Sequence, residues 1–153
     1  MADDEGPELP EDRLGHLLER ARAKLARASA EALAPHGVDG HELTVLAVLA
    51  DAPSPSQVEA AVRLGVDRTT MVALIDGLED QGLVARRRSP WDRRKNIVEL
   101  TAAGEDCLSR AEQARRGAER RFLAPLGEET AASLVRALRT LVAEERSRRN
   151  PPA

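Results

Sequence analysis

Apolar residues recur every three or four positions in several long segments of the chain, a spacing that predicts amphipathic helices. The first segment runs from Glu11 to about Leu33 and is followed by a proline and a glycine that end it. A capping pair, Asp39 with Glu42, precedes a second, largely buried helix that ends near Asp51. The chain therefore begins its ordered part with two helices.

Two shorter helices are predicted next. Ser54 is a candidate N-cap for a helix from Pro55 to about Leu64, and Gly65 turns the chain. Asp67 then caps a helix from Arg68 to about Gln81, whose apolar stripe faces inward. Helix, tight turn and helix in this order are typical of a DNA reader, with the later helix as the recognition helix.

Two short extended segments, residues 83–87 and 97–100, follow the recognition helix on either side of a loop that turns at Ser89 and Pro90. Six basic residues and one acid lie between Arg86 and Lys95, although the net charge of the whole chain is -3. Positive charge is thus concentrated where phosphate would lie. The loop is the predicted wing of a winged helix-turn-helix.

Thr101 caps a further long amphipathic helix, and a last helix follows Gly127. The predicted fold is mainly α with a small β wing: a winged helix-turn-helix flanked by long N- and C-terminal dimerisation helices. The predicted organisation is a disordered acidic tail at 1–10, an N-terminal dimerisation helix at 11–35, a DNA-binding lobe at 36–101 and C-terminal dimerisation helices at 102–148.

Dimerisation is expected from the composition. The 153 residues include one Phe, one Trp and no Tyr, so the core must be built from smaller aliphatic side chains that bury less area. A second subunit would supply the missing area. The leucines expected at the interface are Leu14, Leu17, Leu18, Leu134, Leu138 and Leu141.

The segment from Asp92 to Thr101 carries the pattern Asp-x-Arg-x5-Leu-Thr, and Leu64–Thr70 forms a turn into the recognition helix. On these motifs, and over roughly residues 11–146, the chain resembles the MarR family of bacterial transcriptional regulators. That resemblance implies a winged-helix homodimer with interlocked terminal helices, acting as a repressor on pseudo-palindromic double-stranded DNA. It also implies a pocket for a small anionic or aromatic effector; no effector-binding residue is assigned.

A recognition helix meets base edges in the major groove with its first turn, and helix starts position phosphates. The predicted DNA contacts are Ser54, Ser56, Arg68, Thr69, Thr70, Arg87, Arg88, Arg93, Arg94 and Lys95. For Ser54 and Ser56, plain helix capping remains an equal alternative. The resemblance makes Arg94 the minor-groove residue and Asp92 the wing brace, which holds the loop by pairing with Arg94.

Two features leave alternatives open. Val72, Ala73 and Gly77 give the recognition helix few hydrogen-bonding side chains, which keeps a second hypothesis: a winged-helix module of degenerate specificity that works through protein contacts or nonspecific DNA binding. Trp91 either packs the wing onto the body or stacks at the minor groove, and packing is favoured.

Other functions are not expected. The histidines have no metal-ligand spacing with Cys107, so neither a metal nor a cofactor is predicted, and Cys107 is interpreted as a core residue. Nucleophile elbows, phosphate loops and dinucleotide fingerprints do not occur in the sequence, which argues against an enzyme. A single cysteine, with no signal-peptide or membrane-spanning pattern, predicts a cytoplasmic protein.

Overall fold

Six helices and one two-stranded sheet make up the part of the chain that the computed structural model describes, residues 9–51 and 55–149, with side chains as far as residue 143. The helices are α1 (Leu14–Leu33), α2 (Gly40–Ala50), α3 (Gln57–Leu64), α4 (Arg68–Asp80), α5 (Ala102–Leu123) and α6 (Glu128–Arg149). The strands are β1 (Val84–Arg88) and β2 (Asn96–Leu100). Within the described residues, no helix has the length and apolar character needed to cross a membrane.

The order of elements from α3 to β2 is that of a winged helix-turn-helix. The turn between α3 and α4 is made at Gly65, whose φ of 66° is a left-handed conformation that glycine adopts without steric cost. The strands are antiparallel, with Val84 opposite Leu100 and Arg88 opposite Asn96, and the loop between them is the wing. The predicted fold class, mainly α with a small β wing between long terminal helices, is confirmed.

The first long helix begins later than its apolar pattern predicted. The expected start was Glu11, but Pro10–Asp12 form a 3-10 turn and α1 begins at Leu14. Arg13 between them is extended, with φ -63° and ψ 137°, and makes no side-chain cap hydrogen bond. The leucine periodicity marks a helix face and carries no information about where the helix starts, because that depends on the backbone of the flanking residue.

The predicted cap of α3 was also wrong. The prediction placed Ser54 at the N-cap and Pro55 in the first turn; Ser54 lies outside the described residues, and the helix begins only at Gln57. Ser56 is the N-cap, because its hydroxyl accepts from the Glu59 N–H at 3.2 Å while the Glu59 carboxylate accepts from the Ser56 N–H at 2.7 Å. The Ser56–Glu59 pair satisfies two backbone N–H donors at once. A pair of Ser54 and Gln57 would have to satisfy the same donors with a neutral amide in place of the carboxylate.

The core is aliphatic, as the composition requires. The largest fully buried side chains are Leu33, Leu43, Val45, Leu46, Met71, Ile75, Leu78 and Val98. Three of them form the inward stripe of α4, and Val98 closes the core from the wing side. The buried positions of α5 are small residues, which allows α1 and α5 to pack closely along their lengths.

Two hydrogen bonds fix the start of α5 to the turn before β1, and a third caps α5 itself. The Thr101 hydroxyl donates to the Gly82 carbonyl at 2.6 Å and accepts from the Gly104 N–H at 3.0 Å, and the Thr101 N–H donates to the Leu83 carbonyl at 3.0 Å. A Cβ added to Gly104 would lie 1.9 Å from the Leu83 carbonyl oxygen. Gly104 is therefore required by the close approach of two backbones.

We predict that Gly104→Ala lowers the free energy of unfolding by about 3 kcal/mol, because the new Cβ has space only if α5 moves away from Leu83. Urea unfolding followed by circular dichroism measures this change. A loss below about 1 kcal/mol would contradict the close approach.

Gly77→Ala in α4 is the matched control. The nearest atom to a Cβ at Gly77 is the Glu42 Oε1 at 3.9 Å, an ordinary contact. The same substitution should therefore raise the free energy of unfolding by about 0.5–1 kcal/mol, because alanine favours a helix over glycine. The structure gives no packing reason for a glycine at this position.

Candidate nucleic-acid interface

The recognition helix α4 begins with a capped first turn that faces solvent. The Asp67 carboxylate accepts from the backbone N–H and the hydroxyl of Thr70, both at 2.8 Å, and these bonds lower the pKa of Asp67. Arg68, Thr69 and Thr70 are exposed. Since the Thr70 hydroxyl already donates to Asp67, Arg68 and Thr69 are the side chains of this turn best able to donate to base edges or phosphates.

Arg86 connects the wing to the recognition helix. Its guanidinium forms ion pairs with Asp76 and Glu79 of α4, and its backbone N–H donates to Glu79 at 3.3 Å. With its amide oxygen facing the guanidinium, Gln57 of α3 accepts from Nη2 and Nε of Arg86 at 3.0 and 3.1 Å. Partial burial alone would lower the pKa of Arg86, but the two carboxylates outweigh it and raise this pKa. One side chain of β1 thus links both helices of the reader to the wing.

The prediction that Arg86 belongs to the charge that faces DNA is therefore wrong, because its guanidinium is turned to α4. The five other basic side chains of the wing are exposed: Arg87, Arg88, Arg93, Arg94 and Lys95. Arg87 also forms an ion pair with Glu99 on the neighbouring strand at 3.4 Å. The signal in the sequence is the spacing of Asp76 and Glu79, since acids three positions apart lie on one face of a helix and one cation from the next element can pair with both.

Four hydrogen bonds fix the shape of the wing loop. The Ser89 N–H donates to the Lys95 carbonyl at 2.9 Å, and the Lys95 N–H donates to the Asp92 carbonyl at 3.0 Å. The side chain of Ser89, which is buried, accepts from the N–H groups of Trp91 and Asp92 at 3.3 and 3.2 Å. The loop is therefore an ordered support for its exposed cations.

Asp92 acts on the main chain of Arg94. Its Oδ1 accepts from the Arg94 N–H at 3.0 Å, so the predicted pairing with Arg94 is made to the backbone and not to the guanidinium. A carboxylate two residues before a backbone N–H forms an Asx turn readily, which explains the difference. The Arg94 side chain stays exposed and available to a partner.

Of the two serines predicted to contact phosphate, Ser56 is the one among the described residues. It caps α3 and pairs with Ile97 of β2 in an isolated β-bridge, while the Val98 N–H donates to the Pro55 carbonyl at 3.3 Å. The start of α3 is thus held against the wing. Capping by Ser56 is observed, and its contact with phosphate stays a prediction.

Trp91 projects from the tip of the wing with 91% of its surface exposed. The favoured interpretation, in which it packs the wing onto the body, is wrong. The physical reason is that the buried Ser89 hydroxyl anchors the backbone of Trp91 at the outer turn of the loop. The indole borders an open cleft of about 680 Å³ together with Arg87, Arg88 and Lys95.

Cys107 lies in α5 with its thiol 3.6 Å from the His36 carbonyl oxygen. Burial, together with the nearby carboxylates of Asp106 and Glu42, raises the pKa of this thiol. A thiol that stays protonated at neutral pH reacts slowly with oxidants. This environment suits a core residue better than a sensor.

Comparison with protein families gives a match in the same region. A model described as the MarR family matches residues 36–95, which extend from just before α2 to the end of the wing loop. The HTH-type transcriptional repressor Rv2887 of Mycobacterium tuberculosis is 37% identical to this chain over 113 residues, covering 74% of this chain and 81% of the repressor.

Solved structures show the same likeness. The transcriptional repressor CouR bound to a 23-mer DNA duplex has a TM-score of 0.78 and 34% identity, covering 86% of this chain and 94% of that one. The MarR family protein Rv2887 of Mycobacterium tuberculosis in complex with salicylic acid has a TM-score of 0.68 and 35% identity, covering 84% of this chain and 96% of that one.

We predict that Arg86→Met lowers the free energy of unfolding by about 1–2 kcal/mol. Methionine keeps the stem but leaves Asp76 and Glu79 without their shared cation, and partial access of both carboxylates to water limits the loss. Urea unfolding measures the change.

Arg87→Met makes the same substitution one position along the strand. The Arg87 side chain is 71% exposed in its ion pair with Glu99, so the expected change is below about 0.5 kcal/mol. Equal losses in the two variants would show that the Arg86 pairs do not stabilise the wing.

Proposed function

This chain belongs to the MarR family of DNA-binding transcriptional regulators, and we propose that it is a homodimeric repressor of a pseudo-palindromic DNA site. Each subunit places α4 in the major groove and the wing in the adjacent minor groove. The observation that carries the proposal is the exposed first turn of α4 next to an ordered, exposed and basic wing.

The proposed contacts follow from this arrangement. Arg68, Thr69 and Thr70 meet base edges or flanking phosphates, and Arg94 enters the minor groove, where an arginine meets strong negative potential. Contacts with the phosphate backbone come from Ser54, Ser56, Arg87, Arg88, Arg93 and Lys95. Asp92 braces the loop that presents these cations.

Exposed leucines on the terminal helices support the homodimer. Leu14 of α1 is 71% exposed and Leu141 of α6 is 65% exposed, and the other four predicted interface leucines are also exposed. Leu17 and Leu134 line one open groove of about 780 Å³, so α1 and α6 contribute to the same apolar surface. Large exposed apolar surfaces mark interaction sites, and a second copy of this chain would cover this one.

A small anionic or aromatic effector is the second part of the proposal. A cleft of about 630 Å³ lies between α1 and the start of α2, where the terminal helices meet the DNA-binding lobe. Its lining includes the aliphatic Leu33 and Val38, the imidazole of His41, and the acidic Asp39 and Glu42 of the α2 capping box. The salicylic acid complex of Rv2887 supports this class of ligand. Such a ligand would change DNA affinity only by favouring one arrangement of the two lobes.

Degenerate specificity is the alternative, and the surface of α4 beyond its first turn favours it. Ala73 there is exposed and offers no hydrogen bond to DNA. The ordered basic wing argues against an exclusive role in protein contacts, because its exposed cations repel one another and a polyanion would relieve that repulsion.

Selection of bound duplexes from a random DNA pool at near-physiological salt tests the proposed function. The expected product is an inverted repeat with half-sites about one helical turn apart, bound ~10³-fold or more tightly than scrambled DNA. Absence of an enriched motif, with binding that fades steeply as salt rises, would favour the alternative.

We predict that Arg94→Ala weakens binding to the selected duplex by about 1–3 kcal/mol and lowers the slope of log K against log salt by about 1, with the dimer intact. Fluorescence anisotropy of a labelled duplex at several salt concentrations measures both quantities. Arg110→Ala on α5 is the control, since Arg110 is exposed and pairs with Asp106 away from the wing. Unchanged affinity in Arg94→Ala would exclude this arginine from the mechanism.

We predict that Leu138→Glu dissociates the dimer, because a carboxylate would be buried without a partner in the proposed interface. Sedimentation equilibrium measures the association constant. Thr140→Glu introduces the same side chain two positions along α6, at an exposed site on the opposite face, and should leave the dimer unchanged.

A chain that ends before Gly127 should be monomeric, and a truncated dimer would refute the α6 interface.

A further inference from the structure

Trp91 has a surface that the proposed contacts do not use. It is the single tryptophan of the chain, and 91% of its surface is exposed at the wing tip. A tryptophan in this setting offers water a large apolar face, which tends to be covered in the functional complex. We therefore expect the indole of Trp91 to pack against an apolar face of a binding partner.

The backbone under the indole is fixed. The Trp91 N–H donates to the buried Ser89 hydroxyl at 3.3 Å, and the same hydroxyl accepts from the next residue, Asp92, at 3.2 Å. Only the two side-chain torsions of Trp91 remain to be ordered when a partner binds. Large, rigid aromatic side chains give contact area at low conformational cost.

The charge around the indole selects the chemistry of the partner. Arg88 at the end of β1 and Arg93, Arg94 and Lys95 in the loop are all exposed, and Glu59 and Glu99 also line the cleft that Trp91 borders. Apolar surface surrounded by cations suits a polyanion that also has apolar faces. The deoxyribose–phosphate edge of duplex DNA has both properties.

We propose that Trp91 is a further DNA-contact residue, whose indole packs against the deoxyribose edge of the minor groove beside Arg94. The inference rests on the proposed function, because it requires the wing to meet a duplex. The contact is apolar and releases no counterion, so it adds affinity that does not depend on salt. In this respect Trp91 complements Arg94, whose contribution falls as salt rises.

Tryptophan fluorescence gives a direct test with the wild-type protein. The chain has one Trp and no Tyr, so fluorescence emission excited at about 295 nm reports Trp91 alone. The selected duplex should change the emission and protect it from acrylamide quenching, with the same midpoint as the anisotropy of the labelled duplex. Binding by anisotropy with an unchanged, fully quenchable tryptophan would overturn the inference and leave the proposed function standing. Absence of binding to any duplex would overturn both.

Substitution separates an apolar contact from a charged one. Trp91→Ala should weaken binding about tenfold at every salt concentration, with the salt slope of the wild type, while Trp91→Phe should keep the affinity within about threefold. Arg94→Ala is the matched comparison, because it should change the slope. Wild-type affinity in Trp91→Ala, or a slope change like that of Arg94→Ala, would overturn the inference.

Discussion

The ion pairs of Arg86 are the constraint on which the DNA-facing surface depends. The guanidinium joins Asp76 and Glu79 of α4 to the strand that leads into the wing. Gln57, the first residue of α3, also accepts hydrogen bonds from it. These pairs set the position of the wing relative to the recognition helix. They also neutralise two carboxylates on a helix that would otherwise repel phosphate at short range. A single cation therefore both positions the wing and neutralises the two carboxylates. An uncharged residue of similar volume would form neither ion pair.

A second rigid joint connects the reader to the terminal helices. Thr101 and Gly104 fix the start of α5 to the turn at Leu83, and α5 then continues as one helix of 22 residues, about 33 Å long, that packs against α1. In the proposed dimer, a shift of the terminal helices would be carried along α5 to the base of the wing. The effector proposed at the α1–α2 boundary would then have a physical route to the DNA-binding surface.

The sequence predicted the elements well, because periodicity and capping are local properties. The capping box at Asp39 and Glu42, the cap at Asp67 and the order of helices and strands agree with the structure. The sequence failed where the answer depended on partners distant along the chain. The ion pairs of Arg86 and the backbone approach at Gly104 exist only once three elements have been brought together. The predicted packing of Trp91 onto the body was wrong for a related reason. An aromatic residue is usually buried, and only the geometry of the loop shows that Trp91 projects outward. The DNA contacts themselves remain predictions.

Charge separation explains how a chain with a net charge of -3 can bind a polyanion. The exposed cations of the wing are close together in the sequence, so they favour the approach of DNA at this part of the molecule. Phosphate contacts position a protein without specifying sequence, and the side chains of α4 best able to donate to DNA, Arg68 and Thr69, lie in its first turn. Beyond that turn, Val72 and Ala73 suit thymine methyl groups, and an arginine in the minor groove favours the narrow grooves of A·T-rich DNA. Sequence preference in this protein is therefore expected to come from DNA shape and apolar contacts as much as from hydrogen bonds, with the wing contributing to both.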